Sequence, residues 1–459
     1  MLWIPIMLED SYRKRLAEIV GDEYWTIDTA RLDGRWHSAP PKAIARAGNR
    51  EQVCELLRLA HSERLTVAAA GGLTKQRLGG VPRAIDFILS LERMNRITDY
   101  QPADLTVTVE AGVRMGDLAA TLRSEKQMLP LDPPFGAEAT VGGVIATNGS
   151  GPRRLAYGAV RDMVLGIHFV TAGGTAAKSG GKVVKNVAGY DVAKLLIGSL
   201  GSLAIVTDVT FKTFPIPPAS ATLLCGFESA GQALRAAQRI LHSPFALQAL
   251  DLLDREAGEL LPLRFSPPAA FALAIGTAGP EPVVERMGRE LPALLQSAGE
   301  SGGPAEIVRL EGDEESGLWS GIRELTPSFL EARGGGVVIK SSVVITRIEE
   351  VVAAAQRTAS ENGLASATLA RAGTGVVYSY LWPRTESSAE AALASASKSI
   401  VRQTETLGGR AVVEWAPASV KEKINIWGTL RDDFALMQRL KAQFDPQGTL
   451  NPGRFYGGI

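Results

Sequence analysis

Cysteine and histidine are scarce in this chain, and their scarcity removes several chemistries at once. The two cysteines, Cys54 and Cys225, lie far apart and neither belongs to a Cys-x-x-Cys pair, which excludes a cysteine-ligated iron-sulfur or zinc site and fits a reducing compartment. Cys54 falls beside the apolar stripe of a helical pattern, so inert packing is expected of it. The four histidines, His37, His61, His168 and His242, leave everything beyond residue 242 without an imidazole, and no metal site is expected. Surplus charge is missing as well. Forty-nine lysines and arginines balance 49 aspartates and glutamates, so nothing attracts nucleic acid or an anionic membrane, and a small molecule or a protein partner is the better expectation. No apolar run approaches the ~20 residues of a membrane span. The short apolar stretch at residues 1–7 lacks the preceding positive region and the cleavage site of a signal peptide. A cytoplasmic protein is expected, either free or peripheral to the inner membrane through partners.

Glycine, by contrast, is plentiful and concentrated. Residues 131–161 hold six glycines and three prolines among small hydroxyl and amide side chains, a composition that predicts neither an ordinary helix nor a core strand but backbone shaped around a ligand. The rest of the first half reads as alternating elements. A helical leader (1–35) carries Leu16, Ile19 and Val20 at helical spacing. A strand at 43–47, a helix from about Arg50 with Val53, Leu56, Leu57 and Ala60 on one face, and a strand at 65–69 then lead into the turn Ala70-Gly71-Gly72-Leu73-Thr74-Lys75-Gln76. Further strands fit 84–90, 106–110, 164–171 and 203–214, with a helix at 115–126. On the last strand Ile205, Val209 and Phe211 face one way and Asp208, Thr210 and Lys212 the other.

Neither glycine turn is a common nucleotide motif. The 70–76 loop fails Gly-x-Gly-x-x-Gly and lacks the Gly-Lys-Ser/Thr of a P-loop, and Gly181-Lys182 is followed by Val183. Pro215 to Pro218 mark a domain boundary. Beyond it, alanine-rich helices near 229–242, 281–298, 347–362 and 387–407 alternate with strands near 221–226, 246–252, 270–277, 336–344, 366–371, 375–382 and 410–414. Strands adjacent to strands predict an antiparallel α+β domain. A last helix, 432–441, precedes Asp445-Pro446-Gln447-Gly448-Thr449-Leu450-Asn451-Pro452-Gly453-Arg454.

Five blocks in this order, Thr140 to Asn148, Tyr157-Gly158-x-Val160-Arg161-Asp162, Lys185 to Asp191, Gly198-Ser199-Leu200-Gly201 and Asp445 to Gly453, resemble the FAD-linked oxidases of the vanillyl-alcohol oxidase / p-cresol methylhydroxylase superfamily. Within it the likeness is greatest to the FAD-binding subunits of bacterial glycolate oxidases. The resemblance implies an α+β fold: a two-subdomain FAD-binding domain of the p-cresol methylhydroxylase type (36–218, dividing near 100), an antiparallel ferredoxin-like cap (219–425), and a C-terminal segment (426–459) returning to the FAD domain.

It also implies site residues. Ala70, Gly71, Gly72, Leu73, Thr74 and Lys75 would meet the pyrophosphate with backbone N–H groups. Pro134, Thr140, Val141, Gly142, Gly143, Ala146, Thr147 and Asn148 would follow the flavin and ribityl chain, with Gly142 and Gly143 kept bare by the ring system. Ser150, Gly151, Tyr157, Gly158, Arg161, Val206 and Asn451 complete the cofactor set. The loop carries Leu73 and Thr74 where covalent flavoproteins of the family have histidine, so non-covalent FAD is expected. The family's histidine-bearing strand motif corresponds to Arg371-Ala372-Gly373-Thr374-Gly375-Val376, so the usual histidine base is absent. Arg371, Lys340 and Arg323 are candidate carboxylate-binding cations, although paired or solvated surface roles suit them at least as well. His61 and His168 read as structural, and Met94 and Trp427 as packing groups.

The function so implied is an FAD-binding oxidoreductase subunit acting on glycolate or a similar 2-hydroxy acid, with hydride-derived electrons leaving to an external acceptor. A paralogous flavoprotein subunit and an iron-sulfur subunit are the expected partners. A stand-alone FAD-dependent 2-hydroxy acid dehydrogenase and a flavin-free scaffold remain open alternatives.

Overall fold

In the computed structural model, which describes residues 4–36, 39–182, 189–261, 269–297, 303–384 and 389–459, the chain divides into two units. One comprises residues 1–149, 159–215 and 430–459, the other 150–158 and 216–429. The first sheet of the first unit holds β1 (Trp25–Thr26), β2 (Ala43–Arg46), β3 (Val67–Ala70) and β4 (Phe87–Ser90) in the order β1-β2-β4-β3. Both β2 and β3 run parallel to β4, which demands a crossover between them. Helix Arg50–Glu63 supplies it and buries Val53, Leu56, Leu57 and Ala60 as their spacing predicts. Asn49 starts this helix by accepting the Gln52 N–H at 2.9 Å, and Arg64 ends it in the left-handed region. Leu16 and Val20 of helix Ile4–Val20 join the same core.

Seven further strands follow: β5 (Ile97–Gln101), β6 (Thr106–Glu110), β7 (Gln127–Met128), β8 (Val164–Thr171), β9 (Ala176–Gly180), β10 (Ala204–Lys212) and β11 (Phe214–Pro215). Five of them make an antiparallel sheet in the order β5-β6-β10-β8-β9, so the second subdomain begins at Ile97, and β7 pairs with β11 alone. As the central strand, β10 is covered on both faces. Register shifts between Val206 and Asp208 and between Thr210 and Phe211 interrupt the expected alternation, and Asp208 and Thr210 are buried like Ile205, Val209 and Phe211. Their polarity is satisfied internally: Arg50 Nη2 donates to Asp208 Oδ2 at 2.8 Å, and the Thr108 and Thr210 hydroxyls lie 2.9 Å apart.

The second unit is built on one sheet of β12 (Ala219–Phe227), β13 (Ala249–Asp254), β14 (Phe271–Gly279), β15 (Glu306–Leu310), β16 (Val337–Ser342), β17 (Leu364–Arg371), β18 (Val376–Pro383) and β19 (Arg410–Trp415). Every pairing is antiparallel. The order β15-β12-β14-β13-β17-β18-β16-β19 is a ferredoxin-like β-α-β-β-α-β unit, 4-1-3-2, written twice and joined through the second strands β13 and β17. The expected cap is therefore a double one. Helices Ala230–Leu241, Glu281–Gln296, Ile348–Glu361 and Ala389–Thr406 pack on one face, within a residue or two of their predicted spans.

Helices Gly312–Arg323 and Leu325–Ala332, which the sequence pattern did not reveal, link the halves and cover the alternate side chains of the other face, including Leu224, Leu253, Ala274, Val338, Leu369 and Tyr380. The opening run Gly312-Asp313-Glu314-Glu315 has the look of a polar loop. Glu315 is nonetheless buried, accepting the Ser220 and Thr222 hydroxyls at 2.6 and 2.9 Å.

Candidate functional site: a glycine-walled cleft in the first unit

The stretch 131–161, expected to be free of ordinary helix, contains one at its centre, Val141–Thr147, followed by the short turns Arg154–Tyr157 and Val160–Met163. Thr140 is its N-cap, 3.4 Å from the Gly143 N–H, and Asn148 closes it with φ 49°. The prediction failed because Gly142-Gly143 reads as a breaker, whereas here packing demands small residues. A Cβ on Gly142 would lie 2.9 Å from Ala111 Cβ, so the glycine lets the helix settle on the end of β6. A Cβ on Gly143 would meet nothing closer than Thr140 Oγ1 at 3.4 Å and would point into open space. Of the two, Gly143 alone is free of a packing reason to be glycine.

Opposite this helix runs the loop that continues β3. A Cβ on Gly71 would fall 2.1 Å from Thr140 Oγ1 and one on Gly72 1.9 Å from Glu138 O, so both glycines permit close approach of two backbone segments. Leu73 has φ 58°. Among the described residues no hydrogen bond engages the amide N–H groups of Gly71, Gly72, Leu73 and Thr74. Consecutive free amides around a left-handed residue form a concave anion-binding nest.

Loop and helix are two walls of a single cleft. Ala70, Gly71, Gly72, Leu73, Thr74, Lys75, Pro134, Thr140, Gly142, Gly143, Ala146, Thr147 and Val206 of the expected set line it. Others of the expected set do not. Val141 points into the core and is fully buried. Asn148 serves as the helix cap, Arg161 sits in the turn Val160–Met163, and Ser150, Gly151, Tyr157 and Gly158 belong to the second unit. Asn451 lies beneath the wall: buried, it donates through Nδ2 to Leu200 O and Gly201 O, both at 3.1 Å. Residues Lys185 to Ala188 of the third motif block, and His37, lie outside the described residues.

Residue-level reading missed Leu91, Ala111, Ser199, Leu200, Gly201 and Arg454, all lining residues. Two of the quoted motif blocks contain or adjoin them, but only Arg454 carried a separate signal, as a lone charge among turn residues. It is 5% exposed. Its Nε donates to Leu78 O at 3.0 Å, Nη1 to Gln76 Oε1 at 3.0 Å and Asn451 Oδ1 at 3.4 Å, and Nη2 to Lys75 O at 2.7 Å. Every one of these acceptors is neutral, and burial pulls the guanidinium down to about 10.

The second unit carries the candidate cations. Arg371, half-buried, pairs with the buried Asp251 directly across β17 and β13. Lys340 reaches Glu414 at 3.4 Å and lies 5.7 Å from the Tyr378 ring; Tyr378, more than Glu414, raises its affinity for the proton. Arg323 binds Glu324 at 2.9 Å and Ser320 at 3.0 Å. Each is thus held by a partner of its own. His168 sits on β8 with its proton affinity lowered by burial and then by Arg50, and His61 stands 3.3 Å from Gln447, so neither touches the cleft. Among the described residues no group of His, Cys, Asp or Glu could hold a metal, and no helix is long and apolar enough to cross a membrane.

Comparison with known families decides what the cleft is for. Residues 41–180 match an FAD binding domain, and residues 216–455 match the C-terminal domain of the FAD linked oxidases. The chain belongs to the FAD-linked oxidases. It is similar along its length to the glycolate oxidase subunit GlcD of Bacillus subtilis, at 26% identity over 98% of this chain and 97% of that protein. A 128-residue stretch is 44% identical to the glycolate oxidase subunit GlcE of Escherichia coli, covering 28% of this chain and 37% of that one. The fold is that of p-cresol methylhydroxylase, solved with substrate bound, with a TM-score of 0.78 at 18% identity over 97% and 96% of the two chains. As an FAD-linked oxidase the protein is an FAD-dependent oxidoreductase, and its cleft fits that cofactor: a nest of free amides, backed by a buried cation without a carboxylate, suits a diphosphate.

Proposed function

We propose that this FAD-linked oxidase is the FAD-holding subunit of a glycolate oxidase-type complex that oxidises glycolate or a similar 2-hydroxy acid. The amide nest at Gly71–Thr74 is the observation that carries the cofactor placement. It takes the diphosphate, while Gly143, Thr147 and Val206 border the remainder of the cofactor and Asn451 holds the wall. Bound FAD supplies a hydride acceptor for the substrate α-carbon. The chain's own residues hold that acceptor, exclude water from it with the apolar wall of Leu91, Ala111, Val144 and Ile205, and leave the electrons to a partner. Among the described residues that line the cleft none is histidine, cysteine or tyrosine, which supports non-covalent FAD. Acid precipitation should therefore leave the flavin in the supernatant.

The subunit reading over independent turnover rests on the second unit. Arg371, Lys340 and Arg323 are each engaged by another side chain, and no histidine exists beyond residue 242 to act as base. The similarity to both GlcD and GlcE supports a paralogous flavoprotein partner. Both cysteines are buried and free, so an iron-sulfur subunit would be a separate chain. Anaerobic addition of glycolate or D-lactate to the purified, FAD-loaded chain tests this: the flavin should stay oxidised until a partner is added. Bleaching of the isolated chain would overturn the subunit reading in favour of a stand-alone dehydrogenase.

A further inference from the structure

The segment Asp445–Arg454 is tied to both loops that border the cleft. Val67 N donates to Thr449 O and Asn451 N to Val67 O, adding a short bridge beside β3. Asp445 accepts the Thr449 and Leu450 N–H groups, and Lys441 Nζ donates to Asp445, to Leu450 O and, at 2.7 Å, to Ser202 O. From this platform Arg454 reaches beneath the amide nest. Its fork takes the carbonyls of Lys75 and Leu78 and the side-chain oxygen of Gln76. The guanidinium is also an isolated positive charge: among the described residues no carboxylate pairs with it. A buried charge left in this state is costly, and a fork held by four hydrogen bonds is kept from swinging out to find a counter-ion in solvent.

We infer that Arg454 is the positioning residue of the cofactor's diphosphate: it fixes the 75–78 turn from below, and its charge is balanced only when an anionic diphosphate lies on the nest above. Arg454 lines the same cleft as the nest. This rests on FAD occupying the cleft, and it adds something that cofactor binding does not require, a selectivity for phosphorylated flavin written into the C-terminal segment.

The test compares FAD with riboflavin, which shares the ring and ribityl chain and lacks the diphosphate. Dissociation constants are measured by flavin fluorescence on apoprotein of wild type, Arg454→Lys and Arg454→Gln, with circular dichroism confirming the fold of each. Arg454→Gln keeps a hydrogen-bonding head without charge. It should lower the FAD-to-riboflavin affinity ratio by at least about tenfold, the factor that ~1.4 kcal/mol represents. Arg454→Lys keeps the charge without the fork and should hold the ratio within about threefold of wild type, a difference of ~0.7 kcal/mol. Equal loss in both variants, or an unchanged ratio in Arg454→Gln, overturns the inference while leaving the FAD site intact. Should Arg454→Gln fail to fold, the wild-type apoprotein decides: ADP or inorganic pyrophosphate must raise its melting temperature more than sulfate does at equal ionic strength, and no such difference refutes the anion site. Wild-type apoprotein that takes up neither FAD nor riboflavin would sink the cofactor placement itself, a separate outcome.

Discussion

Replacing Gly72 with alanine should damage the protein before any cofactor arrives, whereas the same change at Gly143 should damage only cofactor binding. At Gly72 the new methyl would sit 1.9 Å from the Glu138 carbonyl oxygen, a backbone atom that cannot rotate away. Restoring an ordinary carbon–oxygen contact requires the two segments to part by about 1 Å, and overpacking of this kind costs ~1–3 kcal/mol. The stiffer unfolded chain returns only ~0.4–1 kcal/mol. The net loss of ~1–2 kcal/mol corresponds to a fall of roughly 2–8 °C in melting temperature for a unit of this size. At Gly143 the nearest protein atom to the new methyl is 3.4 Å away, and the position is helical, so the apoprotein should hold its stability or gain up to ~1 kcal/mol. Its methyl faces the cleft, and FAD affinity should drop by about tenfold or more, ~1.4 kcal/mol. Thermal melts of the apoproteins and FAD titrations separate the two effects. A Gly72→Ala apoprotein as stable as wild type, or a Gly143→Ala protein that melts early yet binds FAD normally, would refute the packing argument.

Asp254 is buried and pushed up to about 6, mainly by desolvation. Its folded form therefore binds a proton more tightly than its unfolded form, and stability should fall as pH rises from about 4 to 6, by ~3 kcal/mol, then level off. Asp254→Asn, which keeps the oxygen that accepts the Ala257 N–H at 2.9 Å, should flatten this slope in urea melts; an identical slope in both proteins would contradict the assignment. Asn451→Ala strands the carbonyls of Leu200 and Gly201 and should cost ~1–3 kcal/mol in denaturant unfolding. A change of under ~0.5 kcal/mol would mean the wall stands without it. Burial raises the Cys54 thiol and pushes Cys225 up to about 12, so a thiol reagent should label neither in the native protein and both in urea. Rapid native labelling of either would contradict the burial.

Much of this architecture was legible because periodicity and caps act locally. Val53, Leu56, Leu57 and Ala60 announced their helix, and the helix expected at 229–242 does begin there, where Ser229 accepts the Gln232 N–H at 3.3 Å. The loop Ala70–Lys75 could be placed on the cleft because successive glycines after a strand restrict what the backbone can be doing. What escaped was set at long range. Gly142 reads as a helix breaker until Ala111 is beside it, and Asp208 and Thr210 of β10 read as solvated until Arg50 and the Thr108 hydroxyl meet them. Arg454 depends on carbonyls that lie hundreds of positions earlier in the chain. Helix Gly312–Arg323 was hidden by its acidic first turn, whose Glu315 looks exposed until the Ser220 and Thr222 hydroxyls arrive.

The bond from Arg454 to Gln76 spans 378 positions, and that distance sets an order of events. During synthesis the nest emerges early, and the whole second unit must be made before the residues that brace it from beneath exist. Closing so long a loop is slow, so the cleft is among the last features to form, and cofactor loading becomes a late checkpoint on the finished chain. Colour would thus report completed folding: a nascent or truncated product stopping short of Asp445 should remain pale even with both sheets assembled.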